Sequence, residues 1–559
     1  MVNSGLISGP SHILIRKNVF MFRQESPAIS GDRGLQPSSC RRDSALGPMI
    51  HPFGFSLQRK SVSADASHKI LRLNRSSRFL SEDFSMPRGR LQFLSKEDVE
   101  RIHGTSLRIL ESIGVAIHSP STVDMLVNAG ARISKDGQRV VFPEELVRSA
   151  LSSVPKSIVL HARDAKWDMK LPSDGKTLVA NGGEAAFLTN ILTGESRSPT
   201  TKDLRDFATL VDQLPQIDFC WMMVGALDQP EYLQNLVEMK TCFEFTSKHI
   251  QVMCSSGEEA KTMVKLASLL SGGEKELDRR PIFSAVQCPV SPLSLEKDLI
   301  EAQVEFAKAG IPVVSMVAAV AGLTSPVTLS GTIAQVNAEN LASLVVSQTS
   351  RKGSPWIYSC DASPGDLRTG SMDYGAFETH LIRAGSSQMG RFYGIPMMVA
   401  DIGIAETSLS LGSVREGIPY MIVQSLVESD LAAGFGHVNQ AASASFEQLV
   451  VDAWVWEVAS EFSRSFDADE AAISYETIQE AALDHNYLTK RHTLSRFEKE
   501  FLAVTRPDAV FCGRRETAAR GALIKKASEE ATDMLSRTEA PLTTPEESDA
   551  MSEFLAELR

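Results

Sequence analysis

From Leu91 onward the apolar and polar positions follow two alternating periods. The stretch LSKEDVERIHGTSLRILESIGVAI carries apolar residues at helical spacing and opens on a Ser-x-x-Asp capping signature at Ser95 and Asp98. STVDMLVNAGA and FPEELVRSALSSV repeat that pattern, so a helical unit of about 60 residues is predicted. SIVLHARDAKWDMKL then alternates in the manner of strands. After it come eight short apolar runs, each ending in Gly, Pro, Ser or another polar residue. They occupy 177–183, 217–225, 249–256, 281–289, 311–320, 355–363, 396–403 and 432–441. Amphipathic segments such as TKDLRDFATLVDQL and EKDLIEAQVEFAKAG separate them. Eight strands alternating with helices predict an α/β fold, a closed (β/α)8 TIM barrel with an N-terminal helical extension and C-terminal helices. An open doubly wound sheet would be expected to show G-x-G-x-x-G after a strand, and none of these runs has it.

The last run leads into FEQLVVDAWVWEVASEFSRSF, a long helix with Trp454 and Trp456 expected in the core. The chain therefore divides into a basic leader at 1–85, an extension at 86–175, the barrel at 176–465, a polar helical segment at 466–535 and a loose acidic tail at 536–559. The leader is rich in Ser and Arg and lacks helical or strand periodicity. Its composition suggests a disordered transit-like segment or translated upstream sequence, with Met86 as the working start.

Composition narrows the function classes. Of 559 residues 43% are hydrophobic and 23% charged, which supports a full globular core. No apolar run reaches the roughly 18 residues of a membrane span. The chain carries a net charge of −12, yet residues 1–90 hold 14 Lys/Arg against 6 Asp/Glu, so the body is the more acidic part. An acidic body argues against nucleic acid and favours cationic ligands. The seven cysteines (Cys40, Cys220, Cys242, Cys254, Cys288, Cys360 and Cys512) form no C-x-x-C pair, a usage that fits reduced thiols and a cytoplasmic location.

In such barrels the reacting groups stand at the C-terminal ends of the strands. Those ends supply Glu184, Gln287, Tyr358, Asp361, Asp401, Glu406, His437 and Asn439. Three kinds of chemistry compete for them. Cys254, Cys288 and Cys360 with His437 would make a zinc set, against the ordinary fate of strand cysteines as small buried hydrophobes. A single cysteine paired with His437 would make an activated nucleophile. Asp361, Asp401 and Glu406 would make an acidic lining for a cation, aided by aromatic residues such as Trp221, Trp356 and Tyr358, against helix capping by the same carboxylates.

The segments NGGEAAFLTNILTGESRSPTTKDLRDFATLVDQLPQIDF, CPVSPLSLEKDLIEAQVEFAKAGIPVVSMVAAVAGLTSPVTLSGTIAQVNAENLASLVV, RFYGIPMMVADIGIAETS and LDHNYLTKRHTLSRFEKEF resemble the trimethylamine methyltransferase (MttB) family, over about Leu91–Phe511. The resemblance implies a methyltransferase that moves a methyl group from a methylamine or betaine-like quaternary amine to cob(I)alamin. That cobalamin belongs to a partner corrinoid protein, so this chain binds no cofactor covalently and no metal. Founding members carry pyrrolysine, and the resemblance places that segment within Asp401–Glu406. Here it reads ADIGIAETS, so the chain resembles a non-pyrrolysine member. Asp401, Glu406 and His437 are then expected as catalytic, and Asp361, Gln287, Asn439, Glu184 and Tyr358 as substrate-binding. The partners implied are a corrinoid protein, a small cationic methylated substrate and further copies of the chain. A sulfonium donor, or a non-catalytic barrel that captures small cations, are the alternatives.

Overall fold

The computed structural model describes residues 90–400, 411–427, 429–501, 522–537 and 540–558. The leader and the 401–410 segment, with Asp401 and Glu406, lie outside the described residues.

Each of the eight apolar runs coincides with one strand of the barrel. These are β1 (Leu178–Asn181), β2 (Phe219–Trp221), β3 (His249–Val252), β4 (Phe283–Gln287), β5 (Val313–Val317), β6 (Trp356–Cys360), β7 (Met397–Val399) and β8 (Leu431–Phe435). They are hydrogen-bonded in parallel and in chain order, and β8 pairs with β1 to close the barrel. A helix follows every strand: α1 (Thr201–Gln213), α2 (Gln234–Phe245), α3 (Gly257–Ser271), α4 (Lys297–Ala309), α5 (Leu329–Ser350), α6 (Phe377–Tyr393), α7 (Leu411–Leu426) and α8 (Phe446–Ala459). Parallel strands covered on both faces need apolar residues throughout, which is why these runs are continuous rather than alternating. Trp454 and Trp456 of α8 are buried, as the sequence predicts.

The extension holds helices Lys96–Arg108, Pro120–Asn128 and Glu144–Ser153. The first opens on the expected capping box between Ser95 and Asp98. It is tied to α5 through Ser106, whose hydroxyl donates to the Ala334 carbonyl (2.8 Å) and accepts from Asn337 (2.9 Å).

A hairpin, Ile158–Leu160 with Met169–Leu171, follows. It closes the floor of the barrel, at the N-terminal ends of the strands. There the His161 carbonyl accepts a hydrogen bond from Nδ1 of His249 at the start of β3 (2.7 Å). Burial pushes His249 down to about 4, so its ring is neutral and Nε2 accepts from the Ser284 hydroxyl of β4 (3.0 Å). Beside it the Lys248 ammonium donates to the carbonyls of Val211, in the last turn of α1, and of Leu214 and Ile217 just beyond it, at 2.6 to 2.9 Å. A cation at a helix C-terminus meets the negative end of the helix dipole.

Past α8 come helices Glu470–Ile473, Tyr475–Asp484, Arg491–Glu500 and Ala522–Ser536. Tyr475–Asp484 buries only Ala481. The acidic tail is not loose. A capping box between Thr544 and Glu547 starts helix Pro545–Glu557, which buries Met551 and Leu555. These two apolar residues, four apart on one helix face, dock it together with the Ser548 hydroxyl, which donates to Glu244 (2.9 Å). No helix among the described residues is long and apolar enough to cross a membrane.

Candidate active site at the barrel mouth

Side chains along a strand alternate between the two faces of the sheet. In β6 the Tyr358 hydroxyl donates to Asn337 of α5 (3.3 Å), and in β4 Phe283 meets Phe306 of α4 edge-on at 6.0 Å. That parity faces the helices. The register pairs Tyr358 with Ser315 and Ser315 with Gln287, so Gln287 shares it and lies beside Leu299, Ile300 and Gln303. Two of the expected substrate-binding residues, Gln287 and Tyr358, therefore stand between barrel and helices rather than at the mouth.

The other parity faces the interior. It includes Trp221, paired with Gln251, and Ser359, paired with Met316. Among the described residues, Trp221 Nε1, both amide atoms of Gln251 and Ser359 Oγ are buried with no hydrogen-bond partner. Burying several polar atoms without partners is costly, and it is a usual mark of a site that receives something polar.

Above this layer the β1 strand ends in Asn181-Gly182-Gly183-Glu184. Asn181 locks β1 to β2 by accepting from the Trp221 amide (3.0 Å). The two glycines are there because aromatic rings lie flat against them. A Cβ on Gly182 would overlap the His437 imidazole, and one on Gly183 would overlap the Trp221 indole. Glu184 follows at φ +51, a conformation unusual for glutamate, with its amide on the Met222 carbonyl (2.7 Å).

The charges of Asp361 and Glu184 both act on the thiol of Cys288, the residue after β4. Burial and then these two carboxylates push that thiol up to about 12. Burial first, then Glu259, also raises Cys254, at the end of β3. Burial thus holds both thiols in the protonated form, the opposite of the environment that activates a cysteine nucleophile. Cys360 points instead toward Ser386 of α6, so the zinc set of three cysteines and His437 is not assembled. Among the described residues no three metal-ligating side chains gather.

Asp361 is buried and already engaged. It accepts from Arg383 Nη2 (2.7 Å) and from the Tyr374 hydroxyl (2.9 Å). The Arg383 guanidinium in turn lies over the Tyr374 ring, 5.5 Å from its centre. One turn of α6 earlier, His380 stacks on Tyr420 at 3.7 Å. Burial and the Arg383 charge push His380 down to about 3, so it is neutral. On the β8 side His437 is buried, whereas Asn439 is exposed in a left-handed turn with Gln440 and Ala441. Gln440 accepts from the Tyr374 amide (2.9 Å), joining the β8 and β6 loops.

The mouth thus brings together Glu184, Asp361, His437 and Trp221. Gln251, Tyr374, His380 and Arg383 complete it, and the last three are not marked in the sequence. A buried glutamine inside the apolar run HIQVMC is the only one of these with a sequence signal.

Residues 65–559 match the sequence profile of the trimethylamine methyltransferase (MTTB) family. A trimethylamine methyltransferase of Desulfitobacterium hafniense is 27% identical over 407 residues, covering 73% of this chain and 82% of the relative. The glycine betaine methyltransferase of a second strain of that species is 26% identical over 423 residues, covering 74% and 86%. Among solved structures, the monomethylamine methyltransferase of Methanosarcina barkeri aligns with 80% of this chain and 89% of its own, at 12% identity and a TM-score of 0.46. The match across most of the chain decides the assignment: this protein is a methyltransferase of the trimethylamine methyltransferase family.

Proposed function

We propose that this methyltransferase moves a methyl group from a betaine-like quaternary amine, or a methylamine, to cob(I)alamin carried by a separate corrinoid protein in the cytoplasm. The observation that carries the reading is the half-buried Glu184, which directly follows the glycine that seats the Trp221 ring, at a mouth that also holds the unpartnered polar atoms of Gln251 and Ser359. A carboxylate and an aromatic face are the two groups that attract a methylated ammonium. Asp361 is less suited to the task, because Arg383 already neutralises it. Its role in this reading is to hold Arg383 and Tyr374 in place.

The chemistry asks little more of the chain. A quaternary ammonium leaves as a neutral amine without protonation, and cob(I)alamin supplies the nucleophile. What remains is to point the N–CH3 bond at the acceptor and to exclude water. His437 and Trp221, fitted against the two glycines, serve as the rigid walls for that orientation. Glu184 must hold the cation only moderately, since binding that favours the reactant alone slows transfer. Asp401 and Glu406, outside the described residues, keep in this reading the substrate-side role that the family resemblance gives them.

Mixing purified protein with free cob(I)alamin and a panel of betaines, methylamines and methyl sulfoniums tests this. A methylcobalamin absorbance change with an ammonium substrate supports the reading. A response confined to sulfoniums redirects it to that donor class. Binding of the cations with no methylcobalamin from any of them overturns it in favour of simple capture.

A further inference from the structure

The loops after β5 and β6 build a small platform on the rim of the mouth. Val320–Ala321 pairs in parallel with the start of Ser363–Asp366, which pairs antiparallel with Ser371–Met372. Three large apolar side chains stand on this platform in solvent: Leu323 (44% exposed), Val327 (71%) and Leu367 (68%). They form one patch. Leu323 and Val320 lie over Gly365, where a Cβ would come within 2.8 and 3.0 Å of them. Leu367 and Val327 lie over Gly322, at 3.4 and 3.7 Å from an added Cβ. The exposed ion pair of Asp366 with Arg368 (3.2 Å) sits next to Leu367. An apolar centre with a charged margin is the anatomy of a protein interface, whereas scattered single hydrophobes would need no explanation.

We propose that Leu323, Val327 and Leu367 form the docking patch for the protein that carries the cobalt methyl acceptor. This rests on the methyl-transfer reading above. The β6 loop that presents Leu367 also carries Asp361 and Tyr374, so whatever sits on the patch lies against the mouth. An acceptor fixed in a macromolecule must approach that mouth on every turnover and leave again. A patch of only three side chains suits such a transient partner better than a permanent one. A second copy of this chain seated there would stand over the entrance that the acceptor has to reach.

The test uses Leu367→Asp and Val327→Asp, with Leu367→Ser as a milder variant, in the full-length chain. Each is assayed with two acceptors: free cob(I)alamin, and the corrinoid proteins encoded in the same genome, reconstituted with cobalamin. The expected result is unchanged transfer to free cob(I)alamin and at least a tenfold rise in KM for a corrinoid protein. Equal use of the corrinoid protein by variant and parent overturns the proposal. So does an equal loss with both acceptors, or an oligomer in the parent that the Asp variants dissociate. If the parent methylates no cob(I)alamin at all, the methyl-transfer reading fails by itself. Direct binding of the corrinoid protein then decides the patch, with binding retained in Leu367→Asp counting against it.

Discussion

Asp361 and Arg383 form a buried ion pair at the barrel mouth, 2.7 Å apart, one at the end of β6 and the other two turns into α6. Neither charge faces water, and each depends on the other. Removing one partner of such a pair leaves an uncompensated buried charge, at a cost of roughly 3–5 kcal/mol. Asp361→Asn and Arg383→Met should each lower the unfolding free energy, read from urea denaturation, by that order. The double variant should lose less than the two losses added together. Additive losses would show that the pair is not coupled.

Gly182 and His437 make a second interdependent pair, this time steric. Gly182→Ala places a methyl group in the imidazole and should cost about 1–3 kcal/mol, the usual range for overpacking. Trimming the ring in the same chain, with His437→Ala, should recover most of the loss. If the double variant is no more stable than Gly182→Ala, another contact causes the strain.

Glu184→Gln keeps the size of the side chain and removes its charge. In the methyl-transfer reading, affinity for a cationic substrate should fall about tenfold, the equivalent of 1.4 kcal/mol. The effect belongs in KM, with kcat nearly preserved. An unchanged KM would move the cation-binding role to another carboxylate.

Cys288 offers a chemical readout of its burial and, after that, of the nearby carboxylates Asp361 and Glu184. Because its thiol is pushed up to about 12, it is almost wholly protonated at pH 8. Alkylation of Cys288 by iodoacetamide in the native protein should run at least tenfold slower than that of a free thiol, followed by peptide mass spectrometry. Rapid labelling at pH 8 would contradict the burial of this thiol beside the two carboxylates.

Asp218 governs a pH effect on stability. Burial raises it to about 6 from an ordinary 3.8. A carboxyl that binds its proton more tightly when folded contributes stability fully present below pH 3.8 and lost as pH rises through 6. Asp218→Asn retains an oxygen for the Val179 amide, which the aspartate accepts at 2.8 Å. The variant should therefore outlast the parent at pH 7, by roughly 3 kcal/mol at most, at 1.36 kcal/mol per unit. That lead should shrink toward pH 4. Denaturant melts at both values check the direction, and a lead that grows on acidification would reverse the assignment.

The barrel was legible because strands buried on both faces leave uninterrupted apolar runs between glycines and prolines. The same continuity hid the parity of each strand. Nothing in PIFSAVQCP tells whether Gln287 or Cys288 looks inward, and a one-residue difference exchanges the two faces. Tyr358 was misplaced at the mouth for that reason. Glu184, Asp361 and His437 were readable as polar residues where apolar runs stop. Arg383 was not, since it meets Asp361 across 22 residues of chain and only after α6 has packed against β6. The acidic tail looked unstructured by composition, whereas two buried residues and a cap hold it as a helix.

The hairpin at Ile158–Leu160 bears on where this chain can be cut. The carbonyl that satisfies His249 comes from His161, outside the barrel as its eight strands define it. Excised at residue 176, the barrel would keep every strand and helix of its ring yet leave the imidazole at the foot of β3 without its acceptor. The hairpin would also leave behind the apolar surface it now covers. A barrel excised without the extension is therefore expected to be less stable than the full chain, and insertions, fusions or minimal versions of this protein are best made with the extension in place.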